Sequence, residues 1–203
     1  MRAWKGVSPD MRGHGGYQFE PGGVYEEPRA KTVSCGYHCT ENPFACLAYF
    51  PLGMRNRYFE VEAEGSIDED GNERIACSRM TFIREVTVQE LAMEGMAYII
   101  RHPDRDDWKR DSSRCIVQQD RAEASEKESI VIARGKDPMV RGREGSFLGL
   151  LREGENREIA AASAAIVGRR VPGMRGVIVK ADTWYRMNEE GRLEEAAGEE
   201  KKD

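Results

Sequence analysis

The sequence predicts an α+β N-terminal domain followed by a short β-rich, β-solenoid-like C-terminal module. Residues 1–103 alternate strand-like runs with two helix signals, whereas from residue 115 onward short β runs are separated by glycines and charges. Residues 104–114 are mostly charged, which is typical of a connection. We therefore predict an α+β domain over 1–103, a charged connection over 104–114, a repeat-like β module over 115–187 and an acidic, partly disordered tail over 188–203.

The first elements of the N-terminal domain are short. Residues 3–7 are predicted as a strand, and residues 31–34 and 36–40 as further strands. Asn42 followed by Pro43 predicts the start of a short α-helix, because asparagine is a good N-cap and proline suits the first helical position.

The next elements carry stronger signals. Residues 58–64 alternate apolar and acidic side chains, which predicts a half-buried strand, and residues 74–84 are expected to return beside it. Thr87 and Glu90 have the spacing of a capping box, so a helix is expected to follow and to end at Pro103.

Two runs in the C-terminal part are similar to each other. Residues 129–135 read SIVIARG and residues 146–151 read SFLGLL. Their likeness suggests neighbouring rungs of a stacked β-repeat.

Composition and charge exclude several classes of protein. The net charge is −5 and no basic patch stands out, which argues against nucleic-acid binding. No apolar run approaches the length of a membrane span, and the N-terminus shows no signal-peptide pattern. Five cysteines without regular spacing are typical of reduced thiols in a cytoplasm.

The segment CGYHCTENPFACLAYFP, residues 35–51, raises the question of a metal site. It supplies four nominal zinc ligands, Cys35, His38, Cys39 and Cys46. If residues 36–40 form a strand, Cys35 and Cys39 lie about 13 Å apart, too far to share one zinc ion. We therefore predict no metal site and interpret the segment as a strand that enters a helix.

Individual side chains offer catalytic candidates. His38 beside a helix N-terminus could act as a general base or hold a ligand, although a histidine hydrogen-bonded within a packed turn is the favoured interpretation. Glu60 and Glu62 share one face of a strand about 6.6 Å apart, so they could divide acid and base roles. A solvated face is the simpler interpretation of these glutamates.

Several segments carry a family resemblance. The stretches WKGVSPDMRGHGGYQFEPGGVYE, SCGYHCTENPFACLAYFP and RYFEVEAEGSIDEDG resemble a bacteriophage and prophage family of unknown function. The C-terminal SIVIARGKDPMVRGREGSFLGLL and VKADTWYRMNEEGRLEE are similar to the end of longer members, which carry Ser/Gly/Ala repeats in between. This chain lacks most of such an array. The resemblance implies a protein in the cytoplasm of the bacterial host and establishes no activity.

A second resemblance concerns the N-terminal domain alone. Lys5-Gly6, the run GYHCTENP and the strand YFEVEA are similar to ADP-ribosyltransferase-like domains. That resemblance implies a pocket for NAD or a related nucleotide built from Lys5, Tyr37, His38 and one of Glu60 or Glu62.

The preferred functional hypothesis is a non-catalytic phage or prophage accessory protein that acts by binding or assembly. It needs no cofactor, and its partners would be an unknown protein, including a host protein, and further copies through the β-rich module. Nucleic acid and membranes are not expected partners. The alternative is an ADP-ribosyltransferase-like domain that uses NAD and acts on host proteins, with Lys5, Tyr37 and His38 as ligand-binding candidates.

Overall fold

The computed structural model describes residues 1–71, 73–170 and 178–196. The chain divides into two compact units, Met1–Tyr98 and Ile99–Asp203, which we call unit 1 and unit 2.

Unit 1 is built on a five-stranded antiparallel sheet. Strand β1 pairs with β3 and β4, β3 pairs with β5, and β5 pairs in turn with β4, so these four strands close into a ring. Strand β2 adds to the outside of this ring through β5. The strands are β1 (Arg2–Val7), β2 (Val24–Glu26), β3 (Tyr37–Thr40), β4 (Arg57–Glu69) and β5 (Arg74–Val86).

Alternation along β1 determines which side chains enter the core of unit 1. Ala3 and Val7 belong to the buried cluster, and Lys5 lies between them at the same strand parity. A lysine therefore occupies a position that the strand pattern assigns to an apolar residue. It is only 8% exposed.

The predicted helix at Asn42 forms, but as a 3-10 helix over Pro43–Ala48 and not as an α-helix. The predicted cap is present, because the Asn42 side chain accepts a hydrogen bond from the Phe44 N–H at 3.0 Å. The helix ends at Ala48 with Tyr49 as its C-cap, so it is a short segment, and 3-10 helices usually occur in short segments.

The second predicted helix is confirmed as α1 (Val88–Arg101). Its capping box is present: the Glu90 N–H donates to Thr87 Oγ1 at 3.1 Å, and Glu90 Oε2 accepts from the Thr87 N–H at 2.8 Å. The apolar face that the spacing predicts is buried at Leu91, Met96 and Ile99.

The described residues of unit 2 form a mixed sheet of seven strands. Strands β7, β8 and β9 run parallel, with Cys115 opposite Ile130 and Ile130 opposite Phe147, so the two similar runs SIVIARG and SFLGLL lie side by side. The remaining pairings are antiparallel. The strands are β6 (Arg110–Asp111), β7 (Cys115–Glu123), β8 (Ile130–Arg141), β9 (Phe147–Glu153), β10 (Ile159–Ile166), β11 (Tyr185–Met187) and β12 (Leu193–Glu195).

The predicted fold class is wrong. The described residues are mostly β, in two sheets, and an α+β N-terminal domain is not evident. The first reason is that β4 and β5 each extend to 13 residues, longer than their alternating patterns indicated, while the segment after Asn42 makes only a short 3-10 helix. The second reason is that the chain reverses after β9, so the parallel strands continue into an antiparallel sheet instead of a β-solenoid.

The predicted domain boundaries remain predictions. Two of the predicted segments nevertheless contain β-strands. Residues 104–114, predicted as a charged connection, contain β6 and the buried Trp108, which is 1% exposed. The tail predicted from residue 188 contains β12, and its last seven residues lie outside the described residues.

Within the described ranges, no helix is both long and apolar enough to cross a membrane.

Candidate functional site

A pocket of about 480 Å³ opens into unit 1. Its walls come from β1, β3, the 3-10 helix, the start of β5 and the loops before β2 and β3. This volume lies in the range of small-ligand pockets, which are mostly apolar with a few placed polar groups. Its aromatic lining residues are Trp4, Tyr17, Phe19, Tyr37, Tyr49 and Phe50.

Lys5 is the most deeply buried charged side chain of the pocket. Its Nζ donates to the backbone carbonyl of His38 at 2.6 Å and lies 4.8 Å from the centre of the Phe19 ring. Burial lowers the pKa of Lys5 below its ordinary value, because a charged ammonium loses its hydration in this position.

His38 is held by hydrogen bonds. Its Nε2 accepts from the Val33 N–H at 3.1 Å, and a hydrogen bond with the Gly36 backbone also acts on the ring. Burial, followed by the charges of Lys5 and Arg74, lowers the pKa of His38. The ring is therefore favoured in its neutral form, and it ties the loop before β3 to the strand instead of standing ready as a base.

Tyr37 belongs to the aromatic wall. Its ring meets Tyr17 and Phe19 at centroid distances of 5.6 and 6.2 Å in edge-to-face geometry, and its hydroxyl donates to the Glu26 carbonyl at 3.3 Å. Burial raises the pKa of Tyr37, and a hydrogen bond with Tyr17 adds to the effect. This tyrosine stays neutral at ordinary pH, and its ring lines the pocket.

The mouth of the pocket is formed by more exposed rings. Tyr17 is 48% and Tyr49 is 43% exposed, whereas Phe19 behind them is buried. Tyr49 contacts His14 edge to face, with ring centres 5.2 Å apart. Arg74 also lines the pocket, and its Nε pairs with Asp70 at 2.6 Å.

Two glycines let aromatic rings approach the backbone of the pocket wall. A Cβ atom at Gly6 would lie 2.8 Å from the Phe50 ring, and one at Gly13 would lie 2.8 Å from the Phe19 ring. A side chain at either position would therefore force the neighbouring ring to move.

Three buried thiols lie close to Lys5. Cys39 and Cys77 form a hydrogen-bonded pair that raises the pKa of Cys39, and burial raises the pKa of Cys46 to about 11. All five cysteines are free of disulfide bonds in this structure. Across the part of the chain that the structure describes, no group of three or more His, Cys, Asp or Glu side chains is arranged to hold a metal ion.

The structure does not bring the predicted glutamates to this pocket. Glu60 Oε1 pairs with Arg2 at 2.7 Å and Glu60 Oε2 with Arg84 at 3.0 Å, and the hydrogen bond from Arg2 is the main reason that the pKa of Glu60 is lowered. Glu62 is exposed. Neither lines the pocket, where Glu27 is the acidic residue.

The position of this pocket coincides with a known domain. Residues 1–94 match the family model described as a domain of unknown function, DUF7666. A DUF7666 domain covers residues 1–94. Neither the curated proteins nor the solved structures contain a match to the chain. The match to the DUF7666 domain indicates neither a phage origin nor a repeat array, so the phage setting stays a prediction.

The predicted ligand-binding candidates Lys5, Tyr37 and His38 all line the pocket of the DUF7666 domain. Their assignment to ligand binding remains a prediction. Sequence reasoning missed Phe19 and Arg74, which reach the pocket from a loop and from the start of β5. It also missed a signal that was present, since Lys5 interrupts the apolar alternation of Ala3 and Val7.

Proposed function

We propose that the DUF7666 domain binds a small molecule without transforming it. The observation that supports this function best is a ligand-sized pocket with aromatic walls around one buried lysine. Pockets of this kind recognise a ligand by apolar contact and use a few polar groups to fix its orientation.

The side chains of the pocket favour binding over catalysis. A general base needs a free lone pair within hydrogen-bond reach of the proton that it removes. The Nε2 lone pair of His38 is already used, because it accepts a hydrogen bond from the Val33 N–H. Glu27 Oε2 accepts from the Gly36 N–H at 3.3 Å, so it supports the same loop. The resemblance to ADP-ribosyltransferase-like domains assigns the pocket glutamate to Glu60 or Glu62, and neither residue is part of the lining.

A fragment screen by two-dimensional amide NMR tests this function. The panel holds aromatic acids, their amides, aromatic amines, AMP and NAD. We expect at least one member to shift the amide signals of β1 and β3, and the variant Tyr17→Ala to weaken that response because it removes an exposed ring of the mouth.

Ile83→Ala is the matched control, because Ile83 is 49% exposed on β5 and lies outside the pocket. If no member of the panel shifts these signals, or if Ile83→Ala weakens binding as much as Tyr17→Ala, the proposed function is wrong.

A second candidate function, self-association, rests on unit 2. Strand β10 pairs only with β9 among the described strands and carries mostly alanines that are incompletely buried. Such an edge is a surface on which another copy can add a strand. Light scattering after size exclusion tests it: we expect a dimer that Ala162→Lys converts to monomer, and a monomer at high concentration would exclude it.

A further inference from the structure

The ammonium of Lys5 has no carboxylate partner among the described residues of unit 1. Its ammonium can donate three hydrogen bonds, and the His38 carbonyl takes one of them. Among the described residues, no carboxylate oxygen lies within 4.0 Å of Nζ. A lysine buried to this degree is usually paired, because removing an ammonium from water is costly unless an anion accompanies it.

The remaining charges of the pocket do not supply that anion. Arg74 is a second cation in the lining, and Glu27 is engaged with the Gly36 backbone. Neither residue therefore offers Lys5 a counterion, and a negatively charged ligand group beside Nζ would supply one.

The charge that Lys5 leaves unbalanced is a single positive charge, which favours a ligand group with a single negative charge. Arg74 already pairs with Asp70, so Lys5 is the cation of the pocket whose single charge a ligand would balance. A carboxylate balances it, whereas a phosphate dianion would bring a second buried negative charge without a partner.

We infer that the pocket takes a small aromatic carboxylate, whose carboxylate pairs with Lys5 and whose ring packs against Phe19 and Tyr37. This inference rests on the proposed function and names its ligand class. Lys5 selects the acid, and the aromatic walls select the ring.

Isothermal titration with matched probes tests the inference. The probes are 2-naphthoate, its neutral amide 2-naphthamide, and 2-naphthyl phosphate. For the unmodified protein we expect 2-naphthoate to bind at least tenfold more tightly than either of the others, because only the carboxylate supplies one negative charge.

The variant Lys5→Met separates the charge from the shape of the pocket. It keeps an unbranched side chain at the position, and we expect it to bind 2-naphthoate and 2-naphthamide within twofold of each other. Lys180→Met removes an exposed lysine of unit 2 and should keep the tenfold preference. Amide NMR spectra of both variants check that they are folded.

Three results would overturn the inference: equal binding of acid and amide by the unmodified protein, an acid preference that survives Lys5→Met, or no binding of any probe. The fragment screen distinguishes these results from failure of the proposed function, since pocket shifts with neutral aromatics would leave a binding domain with another ligand class.

Discussion

Each unit contains a buried cation, and the two cations differ in how their charge is balanced. Arg134 in β8 is fully buried, yet its Nε pairs with Glu153 at 2.6 Å and its Nη2 donates to the carbonyls of Pro103 and Arg157 at 2.7 and 2.9 Å. Its guanidinium also stacks on Trp108 at 5.2 Å. Only Nη1 has no partner among the described residues.

Lys5 is nearly as buried but has one carbonyl acceptor and a pocket beside it. Burial alone therefore does not show that a charged residue has a function. Arg134 has its counterion within the fold, whereas the counterion that we propose for Lys5 comes from a ligand.

The largest effect in this comparison is expected from Arg134→Met. It would leave Glu153, 15% exposed, without its partner and two carbonyls without a donor, at a cost of about 3–5 kcal/mol. Urea unfolding measures this cost. Arg186→Met, which breaks an exposed pair with Glu194, is the control and should change stability by about 1 kcal/mol or less. Equal effects of the two variants would remove the contrast between the two cations.

Gly95→Ala tests how tightly the 3-10 helix is packed in unit 1. A Cβ atom there would overlap the buried Phe44 ring. Helix propensity alone favours alanine by about 1 kcal/mol, but overpacking costs about 1–3 kcal/mol, so we expect a net loss of stability. Phe44 and Tyr49 belong to the same 3-10 segment, and Tyr49 lines the pocket. A displaced Phe44 ring should therefore shift Tyr49 and weaken ligand binding. Thermal unfolding decides the sign, and an increase in Tm would show that the ring has room to move.

Lys5→Met is expected to act in the opposite direction from Arg134→Met. It replaces an ammonium that has no carboxylate partner by an apolar side chain, which should stabilise the protein without ligand by about 1–3 kcal/mol. Urea unfolding at pH 7 measures it. A loss of stability comparable to that of Arg134→Met would mean that Lys5 is a structural cation after all.

The stabilisation by Lys5→Met should depend on pH. The pKa of Lys5 is lowered in the fold from its ordinary value of 10.5, so above pH 10.5 the amine is neutral both folded and unfolded and carries no penalty. As the pH falls below 10.5, the unfolded chain takes up the proton more readily, and the unmodified protein loses stability relative to the variant. The difference in Tm should therefore be larger at pH 7 than at pH 9.5, and a constant difference would contradict it.

The smallest effect is expected from Glu60→Gln. Glu60 bridges Arg2 and Arg84 on the surface, so its loss should cost about 1 kcal/mol or less and leave the affinity for 2-naphthoate unchanged. Titration calorimetry of this variant checks the second point. A tenfold loss of affinity would show that Glu60 takes part in ligand binding after all.

Local signals in the sequence were enough for some elements and not for others. The Asn42 cap and the Thr87–Glu90 capping box were predictable because each depends on a few adjacent residues. The closure of β1, β3, β5 and β4 into a ring depends on pairings between residues far apart, such as Trp4 with Thr40, which no local pattern specifies.

The pocket residues likewise divide into those that the sequence had indicated and those that it had not. Lys5, Tyr37 and His38 were grouped only by the resemblance to ADP-ribosyltransferase-like domains, because neighbouring strand residues such as Tyr37 and His38 point to opposite faces. Phe19 and Arg74 reach Lys5 and His38 through the tertiary fold, and an isolated charge at a core position becomes informative only when its partners are known.

The most direct test of the difference between the two cations is the titration of Lys5 itself. Carbon-13 labelling of lysine Cε lets NMR follow its protonation with and without 2-naphthoate. We expect one lysine signal with a pKa below the ordinary value, which rises when 2-naphthoate is added and stays unchanged with 2-naphthamide. A Lys5 signal that titrates identically with both probes would contradict a counterion supplied by the ligand.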